Sequence, residues 1–382
     1  MRSMTKTGRT PDPQVAYLEM RRSLRQTLKF CAFASRQVFL VHYLNRPKGK
    51  GMRYDDGTST SVEIEREEPG RGRNAATPNE IPAKGLRDVF WRLTGEIIAD
   101  RVTLVAAGVT FYILLSLFPA LGALVSLYGF IADPATMAKH ITFIADILPP
   151  GAFDIILTQL NVLVQAKAST LSTSFLVGLA IALWSANSAI KALFDAMNIA
   201  YGEVEKRGII RLNLISLAFT GMALLLAAVF IAAIGGVPAL LSYLWLDRWQ
   251  ETLIRILRWP IVLTVIGAGV ALIYQVGPSR EHAKIRWLTW GAVFSTLFWL
   301  AASILFSLYL STFANYEATY GALGALIGFM IWTWISVIIV IVGAELNAEL
   351  EHQTVRDTTT GVPMPMGERG AYVADTVGAA MD

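Results

Sequence analysis

Four polar side chains recur along one stretch of otherwise apolar sequence: Asn187, Lys191, Asp195 and Asn198, at steps of four, four and three. On a helix those steps place all four on one face. Ionisable groups in a membrane helix are costly and turn towards a bundle interior or an aqueous cavity. The stripe therefore reads as a polar pathway from mid-membrane at Asn187 to a helix end at Asn198. The other reading is an interfacial helix end in which Lys191 and Asp195 neutralise each other.

A second polar group follows at once: Tyr201, Glu203, Glu205, Lys206 and Arg207. A Glu203–Arg207 pair, four apart, would order the short connection to the next helix. A third group is Glu345 and Glu349, four apart, with Asn347 offset. Carboxylates near a helix C-terminus oppose its dipole and need a partner; Lys191, Arg207 or the basic residues of 280–286 are candidates. The two carboxylates read either as a cytoplasmic gate or proton-handling pair, or as a clamp between helices.

Nothing in the sequence specifies a reaction. His42, His140, His282 and His352 are scattered and form no zinc motif, and no phosphate-binding glycine loop or nucleophile elbow is present. A single cysteine, Cys31, excludes an intramolecular disulfide and a cysteine-based metal site. The expectation is a protein that is not an enzyme, with no catalytic residues, no metal and no cofactor.

The elements that must position these groups are apolar. Segments 104–130, 175–200, 212–234, 256–276, 288–309 and 322–342 are nearly free of charge, and a spanning helix needs about 20 apolar residues. Gly235, Gly236 and Pro238 end the third segment. Hydrophobic residues make up 54% of the chain and charged ones 16%, and the mean hydropathy is +0.48. The expected fold is an all-α integral membrane protein, a bundle of six transmembrane helices with short interfacial amphipathic helices.

The formal charge of +4 reads as topology rather than as a nucleic-acid footprint. Basic residues gather before the first span, between the second and third, and between the fourth and fifth, which by the positive-inside rule puts both termini in the cytoplasm. Arg248, Arg255 and Arg258 fall on the opposite side, where the last two can snorkel. No cleavable signal peptide is evident, and the first span serves as the insertion signal.

The chain divides into a disordered N-terminal tail, 1–80, with Met52 as an alternative start, and an amphipathic cytoplasmic helix, 81–101, carrying Leu86, Val89, Phe90, Leu93 and Ile97. The six-helix domain, 102–345, and a mostly disordered tail, 346–382, follow. The long loop 133–170 carries two amphipathic stripes around Pro149, Pro150 and Gly151. Pro119 predicts a kink, with Ser116 placed to satisfy the freed carbonyl. Gly321, Gly324 and Gly328 form a small-residue packing face, and Ser303 and Ser307 are ordinary interhelical hydrogen-bonders.

Several segments together resemble the YihY/BrkB family of bacterial inner-membrane proteins. They are Ala106 to Tyr112 with Ser116 to Pro119; Leu183, Trp184 and Ser185; Asn198 to Gly202; Tyr320 to Ala325; and Gly343 to Leu350. The resemblance covers about residues 84–352. It implies a six-helix bundle in the cytoplasmic membrane; the family has been linked to virulence, suspected of transport and once labelled a ribonuclease. Two functions follow: a transporter or flippase-like protein for a small solute, ion or lipid, or a non-catalytic structural partner in a cell-envelope complex. The expected partners are the lipid bilayer and envelope proteins or further copies of the chain, with no nucleic acid.

Overall fold

The structure, a computed structural model, describes residues 68–131, 168–223, 225–226, 248–313 and 322–381. The chain separates into Met1–Gly51 and Met52–Asp382, and every described residue lies in the second unit. Among the described residues the regular structure is helical, apart from one isolated bridge between Ala283 and Thr359. After a short turn, Pro78–Glu80, come α1 (Ala83–Ala99), α2 (Val102–Ile131), α3 (Ala168–Ala200), α4 (Ile209–Ala223), α5 (Arg248–Val276), α6 (Ile285–Phe313), α7 (Ala322–Glu351) and α8 (Tyr372–Asp375).

The long helices form where branched and aromatic apolar residues run without interruption, and their outward faces stay apolar. Trp290, Leu297, Phe298, Leu305 and Leu308 of α6 are all at least half exposed. A water-soluble surface does not carry such a continuous patch, whereas lipid solvates it. Among the described residues two helices are long and apolar enough to cross a membrane, Ile285–Leu310 and Leu326–Glu351. A third arises if α1 and the first part of α2, bent by 57°, count as one span.

Helix α7 is the axis of the packing: it contacts α6, α2, α1 and α3, while α2 lies along α3 and α6 lies against α5. The shared core contains Val109, Met197, Tyr274, Leu288, Ile341 and Ala344. The tightest crossing is between α6 and α7 at Gly291 and Gly343. A methyl on Gly343 would collide with Ser295 and the Tyr274 hydroxyl, and one on Gly291 with the Gly343 carbonyl and Asn347. Small residues there let the two backbones touch. The glycine face expected at 321–328 is placed differently: Gly328 has only ordinary contact with Leu310, Gly324 is buried, and Gly321 lies outside the described residues.

The described parts of the two polar tails are ordered rather than disordered. Residues 68–80 and 352–381 are packed over one end of the helices, burying Arg73, Gln353, Thr354, Thr358 and Val373 to 4% exposure or less. Arg73 donates to the carbonyls of Gln353 and Gly378, and Gln353 Nε2 donates to the Arg71 carbonyl. These segments lack the apolar periodicity that signals a packed element. What orders them is a set of guanidinium and amide bonds to backbone carbonyls distant in sequence.

Helix α1 forms as expected, but its buried face is not only the apolar stripe. Val89 and Leu93 are buried together with Asp88 and Arg92, whereas Leu86 and Phe90 are 44% and 57% exposed beside Trp91 and Ile98. Arg71 of the N-terminal segment pairs with Asp88, and Glu349 of α7 with Gln353 and Ala379 of the C-terminal segment takes Arg92, so a face that looks solvated becomes interior. The expected stripes in loop 133–170, almost all of it, lie outside the described residues, as do residues 1–67.

Candidate functional site

The polar stripe of α3 is made as its spacing requires, but its partners differ from the expected ones. Lys191 does not pair with Asp195. Its Nζ donates instead to Asn213 Oδ1 on α4 at 3.1 Å, and Asn187 Nδ2 approaches the same oxygen at 3.4 Å. Residues four apart on a helix point along the same face, and here that face meets α4, whose amide reaches the ammonium. Among the described residues Asn187 Oδ1 is buried without a hydrogen bond. An ammonium, a carboxylate and two amides thus share a half-buried seam between α3 and α4.

Asn198, at the end of the stripe, is a structural staple. Only 3% exposed, it donates from Nδ2 to Glu205 and accepts the Ser279 N–H on Oδ1 at 2.6 Å. It ties the end of α3 to the connections 201–208 and 277–284.

The expected Glu203–Arg207 pair is replaced by two others. Arg207 binds Glu205 at 2.7 Å, and Lys206 binds Glu203 at 2.8 Å. Residues 203–206 are not helical, so four-residue spacing no longer makes neighbours. Arg207 also donates to the carbonyls of Val276 and Gly277, satisfying acceptors at the C-terminus of α5, where a cation suits the helix dipole. Burial pushes the Glu205 carboxyl up, but bonds from Arg207 and Asn198 outweigh it and hold the group below its ordinary value. Glu203, 6% exposed, accepts the Tyr372 N–H at 2.7 Å.

Glu345 and Glu349 separate into two environments. Glu349 meets Arg92 of α1 at 2.5 Å and lies 3.7 Å from His352. Glu345, 1% exposed, has one oxygen buried without a hydrogen bond among the described residues. Further along, at the end of α7, Glu351 binds Arg280 at 2.7 Å and accepts the Thr358 hydroxyl. Arg280 lies 5.1 Å from the centre of the Tyr201 ring, and though burial disfavours its charge, Glu351 holds it above its ordinary value. Burial first, then Glu351, push the Tyr201 phenol well above its own. Asn347 is a clamp: fully buried, it accepts the Gly291 N–H and donates to the Leu288 carbonyl.

Ser116 donates to the Ile113 carbonyl rather than to the carbonyl freed by Pro119, and α2 runs through position 119 as one helix. Arg280, among the basic residues of 280–286 expected to serve the carboxylates of the last helix, meets Glu351 rather than Glu345 or Glu349; the residues that sequence reasoning missed are Asn213, Arg92 and Glu351. Each is an isolated polar residue whose role depends on a partner that local spacing does not reveal. Among the described residues no group of three His, Cys, Asp or Glu side chains could hold a metal ion.

Residues 93–365 match the family model described as virulence factor BrkB. A Bacillus subtilis protein, YfkH, whose name calls it ribonuclease-like, is 33% identical over 257 residues, covering 64% of this chain and 88% of its own. A UPF0761 membrane protein of Idiomarina loihiensis is 30% identical over 191 residues, covering 49% of this chain and 62% of its own. Another, from Pseudoalteromonas translucida, is 24% identical over 273 residues, covering 68% and 85%. No solved structure matches. With the family model spanning most of its length and apolar helices carrying the described fold, this chain belongs to the BrkB family of membrane proteins.

Proposed function

We propose that the protein is a transporter or flippase-like protein for a small solute, ion or lipid, built on six transmembrane helices in the bacterial inner membrane, with both termini cytoplasmic. The observation that carries this reading is the α3–α4 seam. Lys191 lies in an apolar helix and hydrogen-bonds to an amide rather than to a carboxylate, and among the described residues Asn187 Oδ1 beside it has no hydrogen-bond partner. A purely structural contact would be expected to close such valences, since a buried polar atom without a bond costs about 1–3 kcal/mol. Open valences suit a surface that takes up polar groups in passing. Tyr201, Glu203, Arg207 and Glu349 then belong to the cytoplasmic closure of the bundle. The exposed apolar residues of α1, among them Phe90, Trp91 and Ile98, rest in the bilayer interface.

A second reading is favoured by Asn198 and Asn347, each of which both donates and accepts an internal hydrogen bond. It is a structural partner in an envelope complex, in which polar residues only hold helices together. Single cysteines at Asn187, Lys191 and Asp195 in a Cys31→Ser background, labelled with impermeant thiol reagents from each side, separate the two. Labelling at Asn187 whose side changes with conditions supports transport. A seam that stays unlabelled in folded protein removes that reading and turns the search to protein partners.

A further inference from the structure

The end of α7 and the C-terminal segment meet at one histidine. His352, 8% exposed and just past the last residue of α7, has its Nε2 2.8 Å from the Thr376 hydroxyl, and its carbonyl accepts the Gly378 N–H at 2.8 Å. The other ring nitrogen, Nδ1, lies 3.7 Å from Glu349 Oε1, while Arg92 takes Glu349 Oε2.

The Thr376 hydroxyl fixes which ring nitrogen carries a hydrogen. Its oxygen is also 2.7 Å from the Tyr372 carbonyl oxygen, and two oxygens that close need a hydrogen between them. A hydroxyl has one hydrogen to give, so Thr376 donates to the carbonyl and accepts from His352. Nε2 therefore bears the ring hydrogen. In the neutral ring Nδ1 is then a bare lone pair turned towards a carboxylate oxygen, one acceptor facing another. A second proton makes the same nitrogen a cationic donor aimed at an anion. Both sides of the ring thus fit the protonated form.

We propose that His352 is a pH-sensitive latch, which fastens the C-terminal segment 372–378 over the end of the helices when its ring is protonated. The proton passes from solvent to Nδ1 and changes the ring from neutral to +1; no other bond is made or broken. Thr376 ties the ring to α8, where Tyr372 gives its N–H to Glu203 and lays its ring over Gly202 at the end of α3. The state of one imidazole therefore bears on how firmly this segment closes the end of α3.

The charged and titratable groups around the ring come from several elements. Besides Glu349 and the Arg92 of α1 that binds it, Arg73 donates to the carbonyls of Gln353 and Gly378, and the Tyr372 ring of α8 is 6.1 Å away. Arg369 donates to the carbonyls of Val355 and Ala374, and Asp375 accepts the N–H groups of Gly367 and Arg369. Among the described residues Glu349 is the carboxylate within ion-pair reach of the imidazole. Histidine changes charge between about pH 5 and 8, so the latch is fastened on the acidic side of that range and loosens as pH rises. It stands whether or not the seam at Lys191 is a pathway.

The full-length protein in detergent, labelled with nitrogen-15 in its four histidines, tests the tautomer by NMR, the His352 signals being those lost in His352→Gln. The expected result is a neutral ring with its hydrogen on Nε2, and uptake of the second proton on Nδ1 as the buffer is acidified. Hydrogen exchange of segment 370–381, corrected for the intrinsic effect of pH, should be several-fold slower at about pH 6 than at about pH 8, the range of histidine titration. His352→Gln should abolish that difference and Thr376→Val should reduce it. If His352→Gln does not fold, the wild type and Thr376→Val still decide. The proposal is overturned if the neutral ring carries its hydrogen on Nδ1, if protection of the segment is equal at the two pH values, or if its pH dependence is unchanged in the variants.

Discussion

Arg92 and Glu349, 257 residues apart in sequence, meet at 2.5 Å in a contact where each side chain is 7% exposed. The pair joins α1 to α7 beneath the C-terminal segment. A buried pair is weak evidence of net stabilisation, but breaking one side of it leaves the other charge uncompensated, at a cost of about 3–5 kcal/mol. Arg92→Met and Glu349→Gln should each lower the melting temperature strongly in detergent. The double variant should lose clearly less than the sum of the two, and strict additivity would mean that the charges act independently.

The crossing of α6 and α7 predicts a second asymmetry. Gly343→Ala and Gly291→Ala each place a methyl into backbone or hydroxyl atoms of the opposite helix, and overpacking of this kind costs about 1–3 kcal/mol. Gly328→Ala, with only an ordinary contact at 3.9 Å, should be near neutral. Thermal unfolding of the three variants, followed by tryptophan fluorescence, checks the order. Equal effects would contradict the close approach.

Gly202 has φ of +66°, and the Tyr372 ring occupies the space a side chain would need, its edge 2.7 Å from where a Cβ would stand. Gly202→Ala should destabilise through both backbone strain of about 1–2 kcal/mol and collision with the ring. Adding Tyr372→Ala should recover the collision part only. Hydrogen exchange of segment 370–376 in the single variant should show faster opening than in the wild type.

Acid sensitivity follows from the carboxylates outside the spans. Glu205 is held below its ordinary value of 4.5 by Arg207 and Asn198 against the opposing effect of burial. Asp357, which burial would raise, is pulled below 3.8 by Thr359 and the Met364 N–H. Each contributes stability that is present above the unfolded value and is lost as pH falls through the lowered folded one. Melting curves from neutral to acidic pH should therefore decline more steeply for the wild type than for Glu205→Gln, and parallel declines would count against the linkage.

Much of this protein is written locally. Uninterrupted apolar runs determined that the long elements are helices with lipid-facing surfaces, because both signals depend only on neighbours in the chain. The spacing of Asn187, Lys191, Asp195 and Asn198 determined that they share one face of α3. The motif set from Ala106 to Leu350 pointed to the BrkB family. The tertiary structure decided which polar group meets which. Lys191 takes Asn213 rather than Asp195, Glu349 takes Arg92, and Arg207 turns from Glu203 to Glu205 and the end of α5. It also decided that segments 68–80 and 352–381 pack against the helices. A hydrogen bond needs two groups within about 3 Å and in line, and that condition is set by how helices cross and how connections turn, so residues hundreds of positions apart carry no local mark of it.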